Sequence, residues 1–172
     1  MSDFDSFAIY LLEEAKALLV KANVEDEFSQ MTYLHASLLL SISALEACIN
    51  AITDELLVDP YKDKYTIHEQ GLLLEKDVHF DKGGFSLGKG LKISRMTDRI
   101  EFLYKKFSGN TLDTSFQWYM DLKQGIDLRN KLVHPKEYVQ LTFRQVEQAN
   151  LAVISTINEL YKVIYKRKTS NG

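Results

Sequence analysis

Structure breakers are scarce in this chain. Its 172 residues include two prolines and eight glycines, an economy that favours helices over sheets and long loops. There is one cysteine, Cys48, so no internal disulfide can form; a reducing cytoplasm suits it, and its apolar helical surroundings make it a buried structural thiol. Charge of one sign is missing as well. Lys and Arg number 21 against 24 Asp and Glu, a net charge of −3, so bulk electrostatics announce no nucleic-acid binder and any attraction for phosphate is local. The segment MSDFDSF lacks the basic region of a signal peptide, and no apolar run approaches the roughly 20 residues of a membrane span. A cytoplasmic protein with no membrane partner is expected. His35, His68 and His79 are scattered and H-E-x-x-H is absent, so neither a metal site nor a cofactor is expected.

What is present reads as one domain spanning residues 1–172, since apolar residues at 45% and charged residues at 26% are globular values and the length suits a single core. Phe4, Phe7, Leu11, Ala15, Leu18 and Ala22 fall on one helical face, with Asp3 or Asp5 to cap it. After the acidic turn VEDE, Met31, His35, Leu38, Ile42, Leu45, Ile49, Ile52 and Leu56 alternate fours and threes through the longest helix, which Pro60 closes. A second seam (Leu39, Ile42, Glu46, Ile49 and Thr53) makes that helix apolar over much of its girth, and hence central. Residues 61–78 read as irregular, with room for a short helix interrupted at Gly71. HFDKGGFSLGKGLKI, residues 79–93, reads as a glycine-rich hairpin or loop insertion. Helical rhythm returns at Met96, Ile100, Leu103 and Phe107, and again from about Ser115 to His134. Thr142 and Gln145 form a capping box for a last helix through Ile164, before a frayed tail at 166–172. The expected class is all-α: an antiparallel up-and-down bundle of four long helices with one or two short ones and the hairpin insertion.

The informative stretch is RNKLVHP, residues 129–135. Leu122, Ile126, Arg129 and Val133 share one helical stripe, which places an arginine where a leucine belongs. A guanidinium there needs a carboxylate and hydrogen-bond acceptors. Glu46, in SALEACIN, is the acid that also interrupts an apolar seam, so it is expected to face Arg129, with Asn50 one turn further on. Pro135 ends the helix and holds His134 at its C-terminus, with Asn130 one turn before it. Register fixing is the structural alternative for the ion pair, and simple C-capping for the histidine.

Arg129, four residues, then His134 at the end of a penultimate helix resembles the R-x4-6-H signature of the HEPN superfamily, and ALEACIN is similar to that family's acid-bearing second helix. The resemblance implies a homodimer in which two such motifs meet in one cleft, and in active members metal-independent RNA cleavage leaving a 2′,3′-cyclic phosphate. It gives Arg129 and His134 catalytic roles, with Asn130, Glu46 and Asn50 supporting. It also implies toxin or defence roles, with an antitoxin protein as a further partner. In the toxin branch paired with a small nucleotidyltransferase antitoxin, a tyrosine stands two positions after the histidine; here that position is Lys136, and the nearest tyrosine is Tyr138. The rival expectation is a non-catalytic HEPN-like module that holds a nucleotide or a protein in the same cleft.

Other motifs are weaker. GGFSLGKG holds most of a phosphate-binding loop, but Gly90 follows Lys89 where a Ser or Thr is required. Lys89, Lys92, Arg95 and Arg99, with Lys105 and Lys106 against Asp98 and Glu101, give a local positive excess that is either an RNA-guiding patch or a solvated helix face. The tyrosines and Trp118 sit mostly at helical spacing and belong to a core or an interface.

Overall fold

The computed structural model describes residues 3–23, 26–59 and 61–169, with the side chains of 3–5 and 166–169 outside the description. The stop at Pro60, capping by Asp3 or Asp5, and residues 170–172 of the expected tail lie outside the described residues, whereas the backbone of 166–169 continues the last helix. Helices run over Asp3–Ala22 (α1), Glu27–Leu56 (α2), Ile67–Leu74 (α3), Met96–Ser108 (α4), Gln117–Val133 (α5) and Phe143–Thr169 (α6), with an antiparallel hairpin of Lys76–Asp81 (β1) and Gly84–Leu91 (β2). At 71% helix the protein is mostly helical. It is not a clean four-helix bundle, because α4 packs on both α2 and α6 and α3 carries the hairpin.

Asp26 starts α2: its carboxylate accepts from the backbone N–H groups of Phe28 and Ser29 at 3.1 and 3.2 Å, supplying partners to donors the helix leaves orphaned. The expected seam is realised, with Leu38, Ile42, Leu45, Ile49 and Ile52 at 1% exposure or less; each contributes about 2 kcal/mol by burial. The helix therefore meets every other helix of the fold. It also corrects the expectation about membrane length. Glu27–Leu56 is long and apolar enough to cross a bilayer, yet 67% of its most apolar window is buried inside the protein, as in a core helix.

A polar relay runs through that core. Asn150 of α6 donates to Ser37 Oγ at 3.0 Å, and Ser37 donates to the carbonyl of Ala15 in α1 at 2.7 Å. Three helices are thereby tied at one level. Between α5 and α6, a Cβ added at Gly125 would lie 2.8 Å from Ala149 Cβ, so glycine sets how closely they approach. The capping box at Thr142 is present: Gln145 N–H donates to Thr142 Oγ1 at 3.2 Å and Thr142 N–H to Gln145 Oε1 at 2.9 Å.

Residues 61–78 are more regular than expected. A 3-10 turn at Tyr61–Lys64 leads into α3, whose start is a second capping box of Thr66 and Glu69. Gly71 does not interrupt that helix. A Cβ there would meet Val78 Cγ2 at 2.8 Å and the Lys76 carbonyl at 3.0 Å, so the missing side chain is the space into which the hairpin packs.

Candidate functional site

The structure separates the residues expected to form one site. Arg99, not Arg129, is the arginine of the core, with its side chain 3% exposed. It extends from α4, where its Nη2 donates to Asn50 Oδ1 at 2.8 Å and to Thr53 Oγ1 at 3.3 Å. Its Nη1 lies 3.7 Å from Glu75 Oε2. Burial pulls the guanidinium's pKa below its ordinary value, and Glu75, then Glu46 and Asp54, oppose that pull. Glu75 is the pin of this cluster. It sits at the end of α3 with φ +54°, accepts from Lys92 N–H through its carbonyl at 2.7 Å, and from Ser94 N–H through its carboxylate at 3.2 Å. One residue thus joins α3, the hairpin's return and the buried arginine.

Four expectations are corrected by this. Arg99 is no part of a surface patch, because it is buried. Asn50 supports Arg99 rather than the Arg129 and His134 pair. Glu46 is exposed and forms no ion pair with Arg129 among the described residues; it acts on Arg99 through its field. Arg129 is half-buried rather than in the core, because α5 buries Tyr119, Leu122 and Gly125 and then rises out of the core, leaving Val133 48% exposed.

Around His134 the geometry follows expectation more closely. The residue caps the C-terminus of α5, its N–H donating to the Asn130 carbonyl at 2.9 Å. Its exposed side chain lines a depression of about 280 Å³ together with Asn130, Lys131, Lys136, Glu137 and Val139. Arg129, a neighbour in sequence, is absent from that lining. Among the described residues its guanidinium makes no hydrogen bond or ion pair, and its Nε is buried without a partner. Lys131 is held at 3.0 Å by Asp127, whose hydrogen bond and charge raise the ammonium's pKa. Lys89, Lys92 and Arg95 are exposed as expected.

Sequence reasoning missed the Arg99 cluster and the Tyr119 hydroxyl, which is buried in α5 and donates to the Glu101 carboxylate of α4. Burial first, then that hydrogen bond, pushes the phenol's pKa far up. Comparison with protein families, with curated proteins and with solved structures finds no match for this chain.

Proposed function

We propose that the protein is a cytoplasmic, metal-independent endoribonuclease of the HEPN type, acting as a homodimer in stress, toxin or defence biology. One observation supports the reading above the others. Among the described residues Arg129 is an always-charged group without an acceptor, five residues before an exposed imidazole that lines a depression; a phosphate would supply the missing acceptor.

The chemistry needs those groups. A neutral imidazole takes the proton of the ribose 2′-hydroxyl, the 2′-oxygen attacks phosphorus, the bond to the 5′-oxygen breaks, and an imidazolium protonates the departing oxygen. The products are a 2′,3′-cyclic phosphate and a 5′-hydroxyl. Each chain has one such histidine, so acid and base come from two copies of His134 brought together by dimerisation. Arg129 stabilises charge on the equatorial oxygens, and Asn130 lines the same depression. The second reading, a binding module without catalysis, is favoured by the absence, among the described residues, of an acid paired with Arg129. The test is incubation of RNA in EDTA with wild type, His134→Ala and Arg129→Ala. Cyclic-phosphate ends from wild type and a loss of about 100-fold or more in either variant are expected. Intact RNA from folded wild type would leave the binding module standing.

A further inference from the structure

The hairpin is an arm with an anchored base and an apolar tip that the fold does not use. At the base, Val78 and Leu87 pair across the strands and pack over Gly71 of α3, while Glu75 fixes the strand return to the buried Arg99. Phe80 and Phe85 are the next pair on that face, since side chains two residues apart on a strand point the same way. α3 covers them only through His68 against Phe85: Phe80 is 67% and Phe85 57% exposed. The two rings meet edge to face at 5.2 Å, and Phe85 meets the His68 ring at the same distance. Their rotation is thus restricted while their outer surfaces stay open. Lys82 and Gly83 form the turn, both at positive φ.

Charge inverts here relative to the whole chain. Within Lys76–Leu91, Lys76, Lys82 and Lys89 stand against Asp77 and Asp81, a surplus of one positive charge in a protein of net charge −3. Lys92 approaches Asp77 at 3.9 Å, whereas Lys82 and Lys89 are exposed and make no ion pair among the described residues. Lys82 sits in the adjoining turn and Lys89 four residues further along β2 from Phe85, a reach of about one nucleotide or two. Open aromatic faces with lysines at that reach match the two needs of single-stranded nucleic acid, whose bases stack and whose phosphates want cations. A protein partner would want the apolar pair without the charge surplus.

We propose that the hairpin is a single-strand nucleic-acid-binding arm, on which the Phe80 and Phe85 pair stacks unpaired bases and Lys82 and Lys89 hold the flanking phosphates. Naming RNA as its natural ligand rests on the proposed ribonuclease function.

The probe is a fluorescein-labelled 2′-deoxy oligonucleotide of about a dozen residues, which lacks the hydroxyl needed for cleavage. Anisotropy titrations compare wild type with Phe80→Ala/Phe85→Ala and, separately, with Lys82→Glu/Lys89→Glu. The aromatic variant is expected to bind at least about tenfold more weakly, and the lysine variant to lower the slope of log affinity against log salt by about one. Circular dichroism checks that both remain folded, as exposure of all four side chains predicts. Equal binding by wild type and both variants overturns the arm, as does a wild type that binds no oligonucleotide. If the aromatic variant instead keeps its affinity and lowers the mass in sedimentation, the arm is a protein contact and the proposal falls. Cleavage of a ribodinucleotide, which offers the scissile phosphate and no flanking strand, reports on the proposed Arg129 and His134 site; its persistence after a failed titration removes the arm and keeps the nuclease, and failure of both removes both.

Discussion

Two arginines of this chain occupy the same kind of position and have opposite fates. Arg99 and Arg129 both interrupt a helical apolar stripe and both keep a buried Nε without a partner, yet one is sealed in the core with its terminal nitrogens beside Asn50, Thr53 and Glu75, and the other is half-buried and makes no hydrogen bond or ion pair among the described residues. A buried guanidinium whose terminal nitrogens meet acceptors is explained by architecture, even with its Nε unmet. One whose terminal nitrogens also lack acceptors among the described residues is not, since nothing there offsets the desolvation of its charge. The difference accounts for Arg99 by folding and leaves Arg129 as the arginine that the proposed function assigns to phosphate.

The largest expected effect breaks the comparison at the arginines themselves. Arg99→Met strips the partner from Glu75 and leaves Asn50 Oδ1 unmet, and removing one member of such a cluster costs about 3–5 kcal/mol. For a domain of this size that lowers the midpoint of thermal unfolding by roughly 10 °C. Arg129→Met removes no hydrogen bond or ion pair found among the described residues and keeps an apolar stem on the flank of the core, so its midpoint stays within about 2 °C of wild type. Differential scanning calorimetry on both variants reads the contrast. Equal losses would make Arg129 a structural residue and withdraw the main support for phosphate binding.

Much of this contrast was legible in the sequence but unevenly read. The stripe argument that singled out Arg129 applies with equal force to Arg99, which stands three residues after Met96 and four before Leu103. Asn150 likewise stands four after Val146 and three before Val153, and it too is a buried polar group with a distant partner. Periodicity finds such residues; it does not say whether the helix stays in the core over their turn, and α5 does not. Partners are harder still. Glu75 lies in a short connection with a left-handed backbone, and only the packing of the hairpin brings it to Arg99. The long helices and the Thr142 capping box came through because they are local; the equally local Thr66 box went unread, and Gly71 misled because the close approach that requires it is not local. His134 at a helix end was legible from Pro135, a local restriction.

A smaller effect sharpens the same comparison at the asparagines. Asn50→Ala removes an acceptor 2.8 Å from the buried guanidinium, and loss of a hydrogen bond to a charged group costs about 1.5–3 kcal/mol. Asn130→Ala, on an exposed side chain, changes stability within about 0.5 kcal/mol while weakening any ligand held beside His134. Urea unfolding at constant slope measures both.

The smallest expected effect concerns the acids, and it decides which arginine Glu46 serves. Glu75→Gln keeps the hydrogen-bonding shape at 3.7 Å from Arg99 and removes the charge; Glu46→Gln removes only an exposed charge that acts on Arg99 through space. The first is expected to destabilise clearly and the second within about 0.5 kcal/mol. Salt separates them further, because an exposed charge is screened and a shielded one much less so. Any loss from Glu46→Gln should therefore vanish at molar salt. In the double variant with Arg99→Met the effect of Glu46→Gln should disappear, since its target is gone, whereas with Arg129→Met it should persist unchanged. The reverse pattern would restore the pairing of Glu46 with Arg129 and return the guanidinium of α5 to a structural role.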